Sequence, residues 1–345
     1  MTRTRWRLGA LLLGLLLSAA PAAARTVVDS AGRTVEVPDR VGRVFAAGPP
    51  ANVFVYAVAP AKLLGWTREF RGAEGDYVTP DARALPVLGR LTGRGGDANL
   101  EVVLATKPDL ILDVGSTGPT YVSLAERVQA QTKIPYLLVD GRFENTAAAV
   151  RLIGEILGEP EAAGRLAAYA ERTLAEVDAL KAAVPEASRP RAYLARGPQG
   201  LETGVRGSIN TEILERAGAV NVADAPGQEG IANVSLEQVL LWRPDVVVTW
   251  DRQAQDHIRS SPSWTGVPAV ANGRVYLSPV EPFGWIDRPP SLNRLLGLRW
   301  LAGVLYPDRA SGTDLRAATR EFYRLFYHVE LDDSRLDRLL AGAGG

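Results

Sequence analysis

The sequence predicts an α/β protein of two Rossmann-like lobes, each with a mainly parallel sheet, joined by one long α-helix. Three observations predict it. The stretch LEVVLATKPDLIL (Leu100 to Leu112) recurs without a gap as LEQVLLWRPDVVV (Leu236 to Val248), so that Glu101 matches Glu237, Pro108 matches Pro244 and Asp109 matches Asp245. A single internal repeat over such a distance indicates two similar lobes. Apolar β-branched runs alternate with helical patterns, which indicates parallel packing. Between the copies lies the longest helical pattern in the chain, Glu161 to Val184. Its apolar residues at Leu166, Tyr169, Ala170, Leu174, Val177 and Leu180 have helical spacing.

The first segment reads as a signal peptide: Arg3, Arg5 and Arg7, then the apolar core Leu8 to Leu17, then the small residues Ala22, Ala23 and Ala24. The core is too short to span a bilayer stably. A hairpin follows over Arg25 to Pro38, turning near Ala31 and Gly32. Candidate strands are Val44 to Ala47, Leu63 to Trp66, Leu110 to Val114 and Tyr136 to Asp140. Glu144 to Leu157 reads as a helix stopped by Gly158. Pro160 opens the long helix; Pro185 and Pro190 close it. In the second half, strands are expected at Arg191 to Ala195, Val246 to Trp250 and Arg274 to Pro279. Helices are expected near Asn210 to Ala217, Arg294 to Leu305 and Asp314 to Tyr327. Each repeat copy reads as a polar cap (Asn99, Ser235), a short helix, a proline stop and a buried strand. Ser235 and Gln238 have capping-box spacing. The expected domains are residues 1–24 (signal), 25–158 (first lobe), 159–185 (connecting helix) and 186–345 (second lobe).

Composition narrows the function. There is no cysteine, which excludes disulfides, thiolate metal sites, cysteine nucleophiles and lipidation of a mature N-terminal cysteine. Thirty-nine basic residues balance 39 acidic ones. No electrostatic argument for nucleic acid or anionic membrane therefore exists. An exported chain without anchor or lipid belongs in a periplasm, soluble after processing.

These features resemble the substrate-binding proteins of ABC importers for metal chelates, the class with two lobes joined by one long helix. That class includes ferric-siderophore, haem and cobalamin binders. The resemblance covers essentially the whole mature chain. Its most specific element is the motif LExVLxxxPD, present once per lobe. The opening Val27 to Val44 and the segment Asn272 to Pro307 also resemble the family. On the residues alone, Glu101 and Glu237 are acids in a helix's first turn, each complementing the dipole by roughly 0.3–1 kcal/mol. The resemblance implies more: matching glutamates sit at the lobe tips and dock into arginine pockets on a permease dimer. It also implies a monomeric binder, with no resident cofactor and no catalysis.

In parallel α/β lobes, ligands sit beyond the carboxyl ends of strands. That rule places Gly48 to Pro50, Trp66 to Arg71 (with Arg68), Gly115 to Tyr121 and Gly141 to Phe143 on one wall of a cleft, and Arg94 is a further candidate donor. Arg196, Arg206, Trp250 to Arg252 and Phe283 to Arg288 fall on the other, with Trp250, Arg252, Phe283, Trp285 and Arg288 among them. Aromatic faces and arginine forks suit an anionic ligand. Pro282-Phe283-Gly284-Trp285 reads as an ordered loop lining the cleft. Bare metal fits poorly. Only His257 and His328 exist, His328 on a late helix, and the sole methionine is Met1. No G-x-S-x-G, P-loop or dinucleotide fingerprint is present. Asp113, Asp140, Asp251 and Asp287 follow strands and could serve acid–base chemistry, so a periplasmic hydrolase or chelatase-like enzyme is the alternative of another class. Ferric siderophore leads the ligand expectations, followed by haem or corrinoid and by molybdate or tungstate.

Overall fold

The structure, a computed structural model, describes residues 24–93, 100–224, 228–309 and 314–341. The expected signal segment, the Asn99 cap and Arg94 lie outside the described residues, apart from Ala24. Among the described residues no helix is long and apolar enough to cross a membrane.

The chain opens with an antiparallel hairpin of β1 (Ala24–Val28) and β2 (Thr34–Pro38). The first lobe is built on a parallel sheet of β3 (Val44–Ala46), β4 (Leu110–Gly115) and β5 (Tyr136–Asp140), in that order. The second half contains β6 (Arg191–Leu194), β7 (Glu202–Gly204), β8 (Val220–Asn221), β9 (Ile231–Asn233), β10 (Val246–Thr249) and β11 (Val275–Leu277). Its parallel sheet has the order β11-β10-β6-β8, and β7 pairs β9 antiparallel at its side. This is the two-lobed α/β architecture that the repeat and the alternation indicate.

The repeat has a structural reason. Its strands, β4 and β10, lie inside their sheets and are almost wholly buried. Before each strand the chain reverses through a left-handed residue at the same motif position, Lys107 (φ 46°) and Arg243 (φ 47°). The aspartate after the proline then fixes the start of the neighbouring strand. Asp109 accepts from the amides of Gly42 and Arg43 (2.8 and 2.9 Å), and Asp245 accepts from that of Arg191 (2.9 Å). Arg43 and Arg191 donate to carbonyls near the ends of the two repeat helices, Thr106 (2.6 Å) and Trp242 (2.9 Å). A helix end needs such partners for its free carbonyls. The capping box at Ser235 is present in full.

The long helix is Pro160–Ala182, about 35 Å at 1.5 Å per residue. It packs on Thr146–Leu157, where a Cβ at Gly154 would stand 2.1 Å from that of Ala163, so only glycine permits the approach. Toward the second half, Lys181 donates to the Glu215 carbonyl (2.9 Å), and Glu176 and Asp178 pair with Arg299 and Arg216.

The last segment crosses back to the first lobe. Tyr56 donates to the Tyr327 carbonyl (2.5 Å), and Tyr77 donates to that of Arg335 (3.1 Å). These contacts join helices Leu315–Phe326 and Asp333–Leu340 to residues 56–77; sequence patterning gave no sign of the second helix. His328 stands just after Leu315–Phe326 rather than on it, in left-handed conformation (φ 57°), with its ring edge-on to Tyr56. Leu63 to Trp66 is not a strand. It makes isolated parallel bridges, Leu63 to Val44 and Trp66 to Val87. Gly65 lies so close to Pro86 that a Cβ would be 2.5 Å from its carbonyl oxygen, and Trp66 donates its amide to the Pro86 carbonyl and accepts from the Leu88 amide instead.

Candidate functional site

The halves are latched by Arg294, at the start of helix Arg294–Leu305 and 1% exposed. It donates to Gly141 of the first lobe (2.9 Å) and to Ile209 of the second (2.8 Å), both through carbonyls, and pairs with Glu212 (3.2 Å). Its guanidinium lies 4.2 Å from the Phe143 ring centroid. Glu212 returns across the boundary to accept from the Phe143 amide (2.9 Å). Burial lowers the pKa of Arg294, opposed by Glu212.

A recess of about 20 Å³ is lined by Pro49, Asn52, Trp66, Thr67, Arg68 and Phe70 of the first lobe and by Phe283 and Pro289 of the second half. Asn52, at the start of helix Pro49–Val58, is a scaffold residue. It donates to Gly65 (3.0 Å) and accepts from the Thr67 amide (2.8 Å), fixing the loop that carries Trp66 and Arg68. Trp66 is 3% exposed; its indole N–H donates to the Ala82 carbonyl (2.7 Å) and its ring meets Phe70 and Phe283. A wider groove of about 290 Å³ adjoins through Trp66, Arg68 and Phe70 and extends past Arg83, Leu85 and Val87.

The arginines differ in what neutralises them. Arg68 makes a two-pronged pair with Glu74 (2.6 and 3.0 Å). Arg196 pairs with Asp287 (2.9 Å) and Glu202 (3.0 Å) and lies over the Trp250 ring. Arg206 pairs loosely with Asp224 (3.6 Å). Arg288, next to the recess residue Pro289, makes no ion pair among the described residues. Its pKa is lowered, first by burial and then by Arg68, with Glu74 opposing and Arg71 adding to the decrease. Asp251 also opposes the decrease; a guanidinium with no carboxylate at ion-pair distance among the described residues can receive an anion. Its backbone is held left-handed (φ 68°): its amide donates to Asp287 (2.8 Å), and its carbonyl accepts from Gly284 (3.2 Å). Strain of this kind, in a residue with a Cβ, persists only when the surroundings enforce it. Here the enforcing group is Asp287, fully buried and also accepting from Asn210 (2.9 Å). Burial raises the Asp287 pKa against the opposing Arg196 charge.

Of the residues expected from sequence, Trp66, Arg68 and Phe283 therefore line the recess and Arg288 adjoins it. Trp250 is 8% exposed, beneath Arg196. Tyr121, half-buried near the start of helix Pro119–Thr132, lies near Asp113 instead, and burial raises its pKa. Arg206 and Arg252 are away from the recess lining; Arg252 donates to Gln255 (3.2 Å). Trp285 corrects the expectation. At 1% exposed, with its N–H directed at the Tyr323 hydroxyl (3.4 Å), it is core and presents no face to a ligand. Its loop folds inward because Gly284 admits the Asp287 carbonyl at a distance that no Cβ could tolerate. Sequence reading missed Arg294 and Asn52. For Arg294 a signal existed, a charge set among the leucines of the 292–301 run.

Asp113, at the end of β4, accepts from Thr92 and Tyr136 (both 3.1 Å). Burial, opposed by these bonds, pushes its pKa from 3.8 to about 6. The folded state thus keeps a proton that the unfolded chain has lost, and folding stability falls as pH rises from about 4 to about 6. The expected cost at neutral pH is on the order of 3 kcal/mol. Asp113→Asn removes this dependence. Urea unfolding at several pH values should show the variant gaining on wild type across that window; a constant difference contradicts the assignment. No group of three or more metal-ligating side chains exists among the described residues.

Glu101 and Glu237 are both exposed, in the first turns of Leu100–Thr106 and Leu236–Trp242. Hydrogen bonds from its own amide and from Ser235 lower the Glu237 pKa, so it stays charged.

Comparison with known proteins agrees with this architecture. A curated molybdate-binding protein of Haemophilus influenzae is 29% identical over 352 residues, spanning 94% of this chain and 97% of that protein. A vitamin B12-binding protein of Pectobacterium atrosepticum is 27% identical over 212 residues, 60% of this chain and 70% of that one. The solved ABC transporter solute-binding protein of Sulfurospirillum deleyianum superposes with a TM-score of 0.84 at 30% identity, covering 92% of this chain and 99% of that structure. The family model described as periplasmic binding protein matches residues 77–282, and with two lobes, a long linking helix and a recess between the halves, this chain belongs to that family.

Proposed function

We propose that the chain is the periplasmic solute-binding component of an ABC importer and that it captures a compact oxyanion, molybdate or tungstate, for delivery to a permease dimer. The observation that carries this reading is Arg288, without a carboxylate partner among the described residues, beside a small recess shared by both halves. A recess of about 20 Å³ exceeds the ~10–15 Å³ that one water needs. A tetrahedral oxyanion is several times larger than a water and requires the recess to widen toward the adjoining groove, whereas a porphyrin or corrin requires the halves to part. The long alignment with a molybdate-binding protein supports the same choice. The amino end of helix Pro49–Val58 adds positive potential. The mechanism is capture: arginine donors replace the anion's hydration and the aromatic walls exclude water.

A second reading keeps the ferric siderophore expected first from sequence, or another metal chelate. The adjoining groove of about 290 Å³, walled by Trp66, Phe70, Leu85 and Val87, favours it because an organic ligand body needs such a surface. Mass spectrometry with metal analysis of protein isolated from its native compartment separates the readings: molybdenum or tungsten without an organic ligand supports the first, an iron chelate the second.

Delivery rests on Glu101 and Glu237, one acid per lobe for one subunit each of a two-fold permease. Charge-assisted contacts of this kind set register and encounter rate. Replacing both glutamates by alanine should leave ligand affinity unchanged and abolish uptake by the native host. Loss of affinity, or normal uptake, contradicts this assignment.

A further inference from the structure

The two glutamates do not stand alone on their helices. Among the described residues only Val28, Val87, Leu104 and Leu241 are large apolar side chains with high exposure, and two of these four lie one turn beyond the glutamates. Leu104 is 49% exposed and follows Glu101 by three positions; Leu241 is 80% exposed and follows Glu237 by four. Residues three and four apart on a helix share a face. Each tip therefore presents an acid and a leucine together, and the pairing occurs on both copies of the repeat.

The copies differ in which position supplies the leucine. Leu104 matches Leu240, which is half-buried and packs against the turn at Gly266, where a Cβ would stand 3.0 Å from its side chain. Leu241 matches Ala105. A leucine is thus displayed at both tips although the motif does not hold it in register. The second-lobe tip also exposes more of it.

We infer that the permease-facing surface is a pair of acid–leucine faces, Glu101 with Leu104 and Glu237 with Leu241, and that Leu241 makes the larger apolar contact. This inference rests on the docking assignment of the glutamates. The partner it fits is a two-fold membrane protein carrying, in each subunit, a cationic side chain beside an apolar pocket. Two related tips require two related sites, and each acid requires an opposite charge. The acids select, orient and, once each is desolvated against an opposite charge, carry much of the affinity. The leucines add affinity, because burying apolar surface is favourable in proportion to its area. The unequal leucines give the complex one tighter end.

The test measures saturable binding of fluorescently labelled protein to spheroplasts of the native host from which its own copy has been deleted. Vesicles of the host's extracted lipids serve as the comparison. Leu104→Gln and Leu241→Gln alter exposed positions, so they fold with wild-type stability to within about 0.5 kcal/mol. Leu241→Gln is expected to weaken spheroplast binding by at least about fivefold and Leu104→Gln by roughly twofold. The Glu101→Ala, Glu237→Ala double variant is expected not to bind. Wild-type binding by both leucine variants, with loss in the glutamate variant, overturns the inference and leaves the docking assignment standing. Wild-type binding by the glutamate variant overturns both. Equal binding to the lipid vesicles also overturns the inference, since the leucines then meet lipid rather than a protein pocket.

Discussion

Replacing Arg294 by methionine should lower the unfolding free energy by roughly 3–5 kcal/mol, the typical cost of breaking a buried ion pair from one side. Methionine keeps much of the side-chain volume but none of the donors. The Gly141 and Ile209 carbonyls then lose a buried donor, and the Glu212 carboxylate keeps only the Phe143 amide among its bonds described above. Because Arg294 bonds to both halves, the loss is also conformational. Small-angle scattering of the variant should give a larger radius of gyration than wild type. In the wild-type protein, ligand should change that radius little, since Arg294 and the Pro160–Ala182 helix both resist opening. A variant as stable and as compact as wild type contradicts the latch. A wide ligand-driven closure of the wild type contradicts the restriction on hinge motion.

Arg288→Ala should weaken anion binding by roughly 2–3 kcal/mol, the upper part of the range for hydrogen bonds to charged groups, since the side chain is exposed before the anion binds. That corresponds to at least about 30-fold in affinity. Arg68→Ala should cost less, because Glu74 already neutralises that guanidinium with two hydrogen bonds. Arg288→Lys should recover only part of the loss, since an ammonium cannot make the two-pronged contact of a planar fork. Titration calorimetry with molybdate distinguishes these outcomes. An Arg288→Ala variant with wild-type affinity removes Arg288 from the site, whatever the ligand proves to be.

The architecture was readable because the repeat preserves a mechanical unit. Proline stops a helix, a left-handed residue turns the chain, and an aspartate ties the adjacent strand; Pro108 with Asp109 and Pro244 with Asp245 retain that pattern. The walls of the recess were only partly readable. Sequence order places Trp66, Arg68, Phe283 and Arg288 near strand ends. It does not disclose that Arg196 is committed to Asp287 and Glu202, or that Arg288 has no carboxylate partner among the described residues. Which arginine remains free depends on long-range pairing. Trp285 shows the limit of composition. Glycine and proline around an aromatic suggest an exposed loop, but Gly284 allows the loop to close on itself and send the indole into the core. Leu63 to Trp66 fails as a strand for a similar reason: an apolar run with strand-like composition bonds to the 86–88 loop rather than to a full sheet neighbour.

The measurement that tests the central claim most directly is a titration of the purified chain with molybdate, following tryptophan fluorescence and the unfolding temperature together. Trp66 forms part of the recess wall, so an anion held there should change its emission saturably, with one site per chain. Bound anion should also stabilise the fold by mass action, about 2.7 kcal/mol at one hundred times the dissociation constant. A flat fluorescence response with an unchanged unfolding temperature, up to millimolar molybdate or tungstate, contradicts capture of a compact oxyanion between the halves.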